Sequence, residues 1–240
     1  MNKKIHISNK LLLNPSHKVL DIGCGWGGLA THIHKTSGAK VTGVTLSEEQ
    51  IKVANQKVID ENIATHVDFK LIDYRHLDDT FNRIVSVGMF EHVGRKNYQT
   101  YFDKIYDSLT DDGVAVVHTI GRADGPGSTD PWTVKYIFPG GYAPALSEIS
   151  KAIEKSGLYI TDIEVLRLHY ARTLKEWRKR VNNNREKIVN SYDEEFYRMW
   201  EFYLSSAECA FRNLGHVVFQ FQLAKKQDNV PLDRRYLHNK

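Results

Sequence analysis

The sequence is poor in cysteine and lacks long apolar runs. Its two cysteines, Cys24 and Cys209, cannot form a disulfide framework, which indicates a reducing compartment. No apolar run approaches the ~18 residues of a membrane span, and the basic N-terminus lacks the apolar region of a secretory signal. The net charge of +4 is compatible with contact to anionic lipid, whereas no basic run or RNA-binding motif argues for nucleic acid. These absences favour a cytoplasmic protein without a transmembrane segment.

What the sequence does contain is a regular alternation of strand and helix patterns in its first half. Apolar residues make up 41% of the 240 residues, which suits a single domain over 1–240 with a substantial core. We predict strands at 18–22, 40–45, 67–72, 83–87 and 114–119, helices at 26–37, 47–62 and around 98–109, and a turn at 111–113. This βαβ alternation predicts a doubly wound, mostly parallel α/β sheet.

The second half has a less regular pattern and contains segments suited to cover a site. Residues 121–145 are rich in glycine, proline and aromatic residues, and loops of this length are usually functional. We predict a helix at 146–156, a strand at 158–168, helices at 173–189 and 193–212, and a last strand at 216–223. The sheet should therefore have seven strands, with a helical insertion before the last. Residues 1–17 form a short amphipathic N-terminal extension, and 121–145 and 170–212 are expected to cover the substrate.

The stretch 19–28 joins an apolar strand to a glycine cluster and a helix, as in nucleotide-type cofactor sites. Its glycines match the weak dinucleotide fingerprint G-x-G-x-x-G at Gly23, Gly25 and Gly28. A dinucleotide enzyme usually places an acidic residue after the second strand, and 43–46 contains none. Asp21, just before the turn, suits the ammonium group of S-adenosylmethionine (SAM). We therefore favour a SAM methyltransferase over a dinucleotide enzyme.

Longer motifs extend well beyond the glycine turn. They are 19–30 (VLDIGCGWGGLA), 43–50 (GVTLSEEQ), 73–75 (DYR), 83–94 (RIVSVGMFEHVG), 118–121 (HTIG), 130–139 (DPWTVKYIFP) and 169–177 (HYARTLKEW). Together they resemble the bacterial cyclopropane-fatty-acyl-phospholipid synthases, a SAM-dependent family related to the mycolic acid cyclopropane synthases. The resemblance covers nearly the whole chain from about residue 10, and it implies the Rossmann-like fold of class I SAM methyltransferases.

The resemblance also implies a reaction and a set of site residues. In this family a cis double bond of a phospholipid acyl chain attacks the SAM methyl group, and bound bicarbonate deprotonates the resulting carbocation. The matching catalytic positions are Glu91, His118, the backbone of Ile120, and Tyr170. The matching cofactor positions are Asp21, Gly23, Cys24, Gly25, Gly27, Thr45, Leu46, Gln50, Asp73, Tyr74 and Gly88. The substrate implies contact with the inner membrane surface as a peripheral protein, a homodimer is compatible with it, and no metal is expected.

Each of these residues also has an ordinary structural explanation. The alternative for His118 is a hydrogen-bonded histidine that ends a buried strand, and that for Tyr170 is a core aromatic with a satisfied hydroxyl group. The alternative for Glu91 is a residue that caps a helix, and that for Gln50 is the partner of Ser47 in a capping box. Two other functions also stay open: a methyltransferase acting on an amine or another small molecule, and an inactive SAM-binding remnant.

The sequence departs from the family before the first strand. The family has an upstream segment reading roughly Tyr-Ser-Cys-Ala-Tyr-Trp, whose cysteine helps to hold bicarbonate, and the phospholipid enzymes add an N-terminal lipid-associated domain. The 17 residues before the first strand contain no cysteine and no aromatic residue. We therefore expect these 240 residues alone to bind SAM weakly and to show low or absent turnover.

Overall fold

A seven-stranded sheet forms the centre of the computed structural model, which describes residues 2–238; Met1, which belongs to the predicted extension, lies outside them. The strands are β1 (Lys18–Ile22), β2 (Lys40–Thr45), β3 (Val67–Leu71), β4 (Phe81–Val87), β5 (Leu109–Arg122), β6 (Tyr159–Val165) and β7 (His216–Ala224). Their order is β3-β2-β1-β4-β5-β7-β6. The first five strands are parallel, and β7 runs antiparallel to both of its neighbours. The predicted doubly wound, mostly parallel sheet is confirmed.

Helices cover both faces of this sheet. They are α1 (Asn2–Lys10), α2 (Gly28–Ser37), α3 (Glu48–Asp60), α4 (Tyr98–Ser108), α5 (Pro131–Tyr136), α6 (Leu146–Ser156), α7 (His169–Asn183), α8 (Arg185–Ser191) and α9 (Glu194–Asn213). Within residues 2–238, no helix combines the length and the apolar character needed to cross a bilayer.

Three predicted boundaries are wrong. The turn expected at 111–113 lies inside β5 as a bulge, because pairing with β4 shifts from Phe81–Leu109 to Arg83–Val114. The helix expected at 173–189 begins earlier, at His169, and breaks into α7 and α8 at an asparagine-rich junction. The predicted loop 121–145 contains the short helix α5.

Alternate residues of each strand pack on opposite layers. On one face, Ala115 and Val117 of β5 pack in a cluster that includes side chains of α4 and α6. On the other face, Val116 joins a cluster with α1, α2 and α3, while Val218 of β7 joins one with α7 and α9. These two clusters are separate, and the same face also carries a smaller cluster around Val114 and Ala224.

Gly43 on β2 shows how tightly the sheet packs below the glycine turn. A Cβ atom at Gly43 would lie 2.5 Å from a ring carbon of Phe69 and 2.8 Å from the Cβ of Cys24. Because this overpacking forces a shift in a buried layer, we expect Gly43→Ala to lower the free energy of unfolding by about 1–3 kcal/mol in urea titrations. Gly28→Ala is the control, because its new Cβ would meet only the flexible end of Lys4. Equal effects of the two substitutions would contradict this prediction.

Candidate active site

The turn after β1 has the backbone geometry that its glycines allow. Gly23, Gly25 and Gly27 have φ values of 78°, 55° and 74°, in the left-handed region that favours glycine. The Gly23 N–H donates to the carbonyl of Val44 at 2.9 Å, which fixes the turn against the end of β2. A Cβ atom at Gly25 would meet nothing within 4 Å, and the same holds for Gly88 after β4. The turn therefore borders open space at the carboxyl edge of the sheet, where a ligand can approach the backbone.

Asp21 lies beneath this turn as a buried carboxyl group. Its side chain is 2% exposed, and its Oδ2 has no hydrogen-bond partner in the described part of the chain. Burial raises the pKa of this carboxyl group from 3.8 to about 7. An orphaned carboxylate oxygen suits the ammonium group of an amino-acid ligand, so the residue fits the cofactor group expected here. Burial also raises the pKa of the neighbouring Cys24 thiol to about 12, so the thiolate is absent at neutral pH.

The turn after β2 directs Gln50 toward the same edge. The Ser47 hydroxyl accepts the Gln50 N–H at 3.3 Å and caps α3. The Gln50 side chain does not complete a capping box; its Oε1 accepts the hydroxyl of Thr45 at 2.8 Å. Leu46 between them is 71% exposed, although it is apolar.

The turn after β3 has a different arrangement. The carboxylate of Asp73 accepts hydrogen bonds from Arg75 Nε at 3.0 Å and Nη2 at 2.6 Å. These hydrogen bonds hold the pKa of Asp73 below its usual range. Tyr74 is half-buried and packs edge-on against Tyr101, with 5.6 Å between ring centroids. A ligand of Asp73 would therefore share this carboxylate with Arg75.

Glu91, in the short 3-10 turn after β4, contacts the end of β5. Its Oε1 accepts the N–H of Ile120 at 2.6 Å, while its Oε2 is buried without a partner in the described residues. Burial raises the pKa of this carboxyl group. Glu91 therefore binds the backbone of a neighbouring strand and leaves one acceptor unused.

His118 on β5 is fixed by a residue of the last strand. The buried Gln220 side chain donates from Nε2 to His118 Nδ1 at 3.0 Å, and the two residues are direct partners across β5 and β7. Burial lowers the pKa of His118 to about 3, so the ring is neutral at pH 7. Because Nδ1 accepts a hydrogen bond, the proton of the neutral ring lies on Nε2, which makes Nε2 a donor.

A groove of about 1520 Å³ opens between the two apolar clusters on the second face of the sheet. His118 and Gln220 lie in its lining, together with Tyr170 and Trp177 of α7. The Tyr170 ring packs on Phe211 at 5.0 Å and on Trp177 at 6.0 Å, so it contributes to the core and to the groove. Apolar lining is added by Ile5, Leu12, Leu13, Leu166 and Val218.

The structure therefore brings together Glu91 with Ile120 and His118 with Tyr170. The glycine turn is adjacent to the first pair, because a Cβ atom at Gly23 would lie 2.8 Å from the side chain of Met89. Sequence reasoning missed Gln220 and Trp26, whose indole is 56% exposed beside the turn. The alternating pattern of β7 could have indicated Gln220, because it places this buried glutamine among apolar residues on the same face of the sheet as His118.

The buried Asp21 should make stability depend on pH. A carboxyl pKa raised in the folded state favours folding while the group is protonated, and this contribution is lost as pH rises from about 4 through about 7. We expect wild type to lose about 3–4 kcal/mol relative to Asp21→Asn over that window. Urea unfolding at a series of pH values measures the difference. Substituting the exposed Asp228→Asn is the control, and parallel curves for wild type and Asp21→Asn would contradict the prediction.

Comparison with known proteins points to one family. A family model described as mycolic acid cyclopropane synthetase matches residues 1–221. A probable fatty acid methyltransferase of Pseudomonas putida is 41% identical over 97% of this chain and 62% of its own length. Cyclopropane-fatty-acyl-phospholipid synthase of Escherichia coli K12 is 42% identical over 89% of this chain and 56% of its own length. The chain thus spans little more than half of these relatives.

A solved structure shows the same fold. Mycolic acid cyclopropane synthase CmaA1, complexed with SAH and CTAB, superposes with a TM-score of 0.86 at 29% identity. The match covers 92% of this chain and 82% of that one.

Proposed function

Because the chain belongs to the mycolic acid cyclopropane synthetase family, we propose that it transfers a methylene group from SAM to the cis double bond of an unsaturated phospholipid acyl chain. One observation carries the proposal. The neutral His118 lies in a large groove with apolar lining, and Glu91, which accepts the Ile120 N–H two residues further along β5, keeps a buried, unpartnered oxygen beside the glycine turn. This arrangement joins a lipid-sized groove to a polar group at the predicted cofactor edge.

The residues at the carboxyl edge fit SAM, which supplies an electrophilic methyl group when bound. Gly25 and Gly88 leave the open space that a ligand needs for close backbone contact. Asp21 offers its orphaned oxygen to the ammonium group. We assign the remaining contacts to the other cofactor positions predicted from the sequence, namely Gly23, Cys24, Gly27, Thr45, Leu46, Gln50, Asp73 and Tyr74.

The groove supplies positioning and exclusion of water. An isolated alkene is a poor nucleophile, so its orientation toward the methyl donor is the main contribution that the protein can make. The half-buried rings of Tyr170 and Tyr203 pack against the apolar cluster with α7 and α9, and they would help to keep water from the cation that develops on the acyl chain. The two cover segments also contact each other, because Trp132 packs on Phe202 at 4.7 Å. We therefore treat residues 1–240 as one domain, with 121–145 and 170–212 over the substrate.

Glu91 and His118 also fit a small oxyanion with a hydroxyl group, such as bicarbonate. Glu91 Oε2 is an available acceptor for that hydroxyl group, and His118 Nε2–H is a donor for an oxygen. Tyr170 adds a hydroxyl group on the same groove. The Ile120 N–H already donates to Glu91, so we assign it the orientation of that carboxylate. Bicarbonate would serve as the base that removes the proton from the new methyl group.

The test is incubation of the protein with SAM and unsaturated phospholipid vesicles, followed by mass spectrometry of the acyl chains. We expect a low yield of chains heavier by one methylene, in line with the low turnover expected of these 240 residues, with a signal that falls in bicarbonate-free buffer. A product that forms equally without bicarbonate would remove that anion from the proposal. Methylation of amines but not of lipid would favour a small-molecule methyltransferase. Binding of S-adenosylhomocysteine in calorimetry without any product would identify an inactive remnant.

The same substrate class implies that the protein works at the cytoplasmic side of the inner membrane as a peripheral protein. The groove supports this, since it is open and reaches the exposed Trp177. A homodimer is compatible with the proposal, and sedimentation velocity at several concentrations tests it.

Gln220 should act on the reaction through the tautomer of His118. We expect Gln220→Leu to remove the donor to Nδ1, so that both neutral tautomers are populated and turnover falls about tenfold. Nitrogen chemical shifts of the His118 ring report the tautomer directly. Gln222→Leu is the control, because Gln222 donates to the Lys10 carbonyl on the neighbouring α1. An unchanged His118 tautomer in Gln220→Leu would contradict this role.

A further inference from the structure

The helices α7 and α8 concentrate positive charge. Residues 169–191 contain seven Lys or Arg and two Glu, a net charge of +5, whereas the whole chain carries +4. The net charge of the remaining residues is therefore −1. Of the seven cations, Arg178 pairs with Glu208 and Arg185 pairs with Glu194. The other five are exposed and form no ion pair with the described residues: Arg172, Lys175, Lys179, Arg180 and Lys187.

These cations occur together with exposed apolar side chains. Leu168 at the start of α7 is 46% exposed, Trp177 in its middle is 41% exposed, and Tyr192 after α8 is 68% exposed. Three of the cations, Arg172, Lys175 and Lys179, follow helical spacing along one stripe of α7. Basic residues beside exposed tryptophan, tyrosine and leucine are the composition of helices that lie on membrane surfaces.

Trp177 connects this surface with the groove. Its side chain is partly exposed and also lines the groove, where its ring contacts Tyr170. An acyl chain entering from the side of α7 would therefore pass an amphipathic ring before it reaches Tyr170. Charged side chains on a protein surface usually do no more than contact water. Here, however, the basic side chains lie on α7, the helix that forms one wall of the substrate groove.

We propose that α7 and α8 dock the protein onto anionic phospholipid bilayers and thereby present the groove to acyl chains. The role of this docking rests on the proposed lipid substrate. The choice of an anionic bilayer as the partner rests on charge complementarity. Each basic side chain near an anionic leaflet contributes to binding, and salt screens that contribution. Docking should therefore require anionic lipid and should weaken with ionic strength.

The experiment compares how variants of the 240-residue chain bind to vesicles in the absence of SAM. Vesicles contain dioleoylphosphatidylcholine alone or an equal mixture with dioleoylphosphatidylglycerol, and sedimentation measures bound protein. We expect wild type to bind the anionic vesicles, and R172E/K175E/K179E to bind them about 100-fold more weakly. The control K96E/K151E/K155E makes the same change in net charge at exposed lysines near α4 and α6, and it should retain binding. Circular dichroism confirms that both variants are folded.

Three outcomes overturn the docking surface. The first is an equal loss of vesicle binding in the two triple variants, and the second is binding that does not depend on anionic lipid. The third is charge reversal that weakens the binding of RNA oligonucleotides, added as a competitor, but not the binding of vesicles. Turnover separates this proposal from the proposed function. If R172E/K175E/K179E loses activity on vesicles but keeps it on phospholipid dispersed in detergent, docking and chemistry are both supported. If no variant forms product on either substrate while vesicle binding follows the charges, the proposed reaction fails and the docking surface stands.

Discussion

Replacing Glu91 with glutamine should reduce turnover by about 100-fold or more while the fold and cofactor binding persist. Glutamine keeps an oxygen that accepts the Ile120 N–H, whose present distance to Glu91 Oε1 is 2.6 Å. It replaces the unpartnered Oε2 with an NH₂ group, which cannot accept a hydroxyl proton. Under the proposed function Glu91 holds the bicarbonate base, and loss of one positioned base typically costs 10²–10⁴ in rate.

Stability gives this prediction a second, independent readout. Burial raises the pKa of Glu91, so its ionised form opposes folding, and the opposition grows as pH rises. Glu91→Gln should therefore be at least as stable as wild type at pH 8. Product formation, calorimetric binding of S-adenosylhomocysteine and thermal unfolding should be measured together, with the exposed Glu176→Gln as the control. Turnover within threefold of wild type would exclude Glu91 from the chemistry.

The second large effect concerns the attachment of α1 to the sheet. Lys10 is completely buried, and its Nζ lies 2.6 Å from Oε2 of Glu164 on β6. His6 Nε2 lies 2.5 Å from the same oxygen. We expect Glu164→Gln to lower the free energy of unfolding by about 3 kcal/mol, because it leaves a buried ammonium group without its counter-charge. This is the low end of the usual range, since Glu164 itself is one-third exposed.

Removing the other partner, Lys10, should lower the free energy of unfolding much less. Lys10→Met replaces the buried cation with an apolar chain of similar length, and the carboxylate that remains is one-third exposed and keeps His6 as a partner, so it is not an uncompensated buried charge. The pH dependence of the free energy of unfolding should also differ between the two variants. Hydrogen bonding from His6 and Lys10 lowers the pKa of Glu164 to about 2, so its contribution is present above about pH 4.5 and is lost as pH falls toward 2. Urea unfolding of both variants checks this, and a larger loss in Lys10→Met would contradict it.

Local patterns predicted most of the fold, while the contacts of the site depend on distant residues. The bounds of β1, β2 and α6 follow from runs of apolar residues and from helical spacing. The contact between Glu91 and Ile120 joins residues 29 apart, and that between His118 and Gln220 joins residues 102 apart. No local pattern contains those distances. A glutamine in an apolar strand gives no sign of its partner until the strand order is known.

The basic surface was missed for a related reason. The longest uninterrupted run of cations in α7 and α8 is the three residues 178–180, and neutral or acidic residues separate the others, so they do not form a long run in the sequence. Only the helical periodicity places Arg172, Lys175 and Lys179 side by side. The boundary of α7 was missed as well, because 169–172 carries no N-cap residue that announces a helix.

The position of β7 also bears on the synthesis of the chain. Of the seven strands, β7 is synthesised last, yet it is an inner strand that lies between β5 and β6. Until residues 216–224 emerge, β5 is an unpaired edge with a row of free backbone donors and acceptors beside Val114 and Val116. The sheet therefore cannot close until β7 has emerged, and the nascent chain carries an aggregation-prone edge from the synthesis of β5 to that of β7. Chaperone dependence during expression is the expected consequence, and it should be strongest for chains that stall before β7.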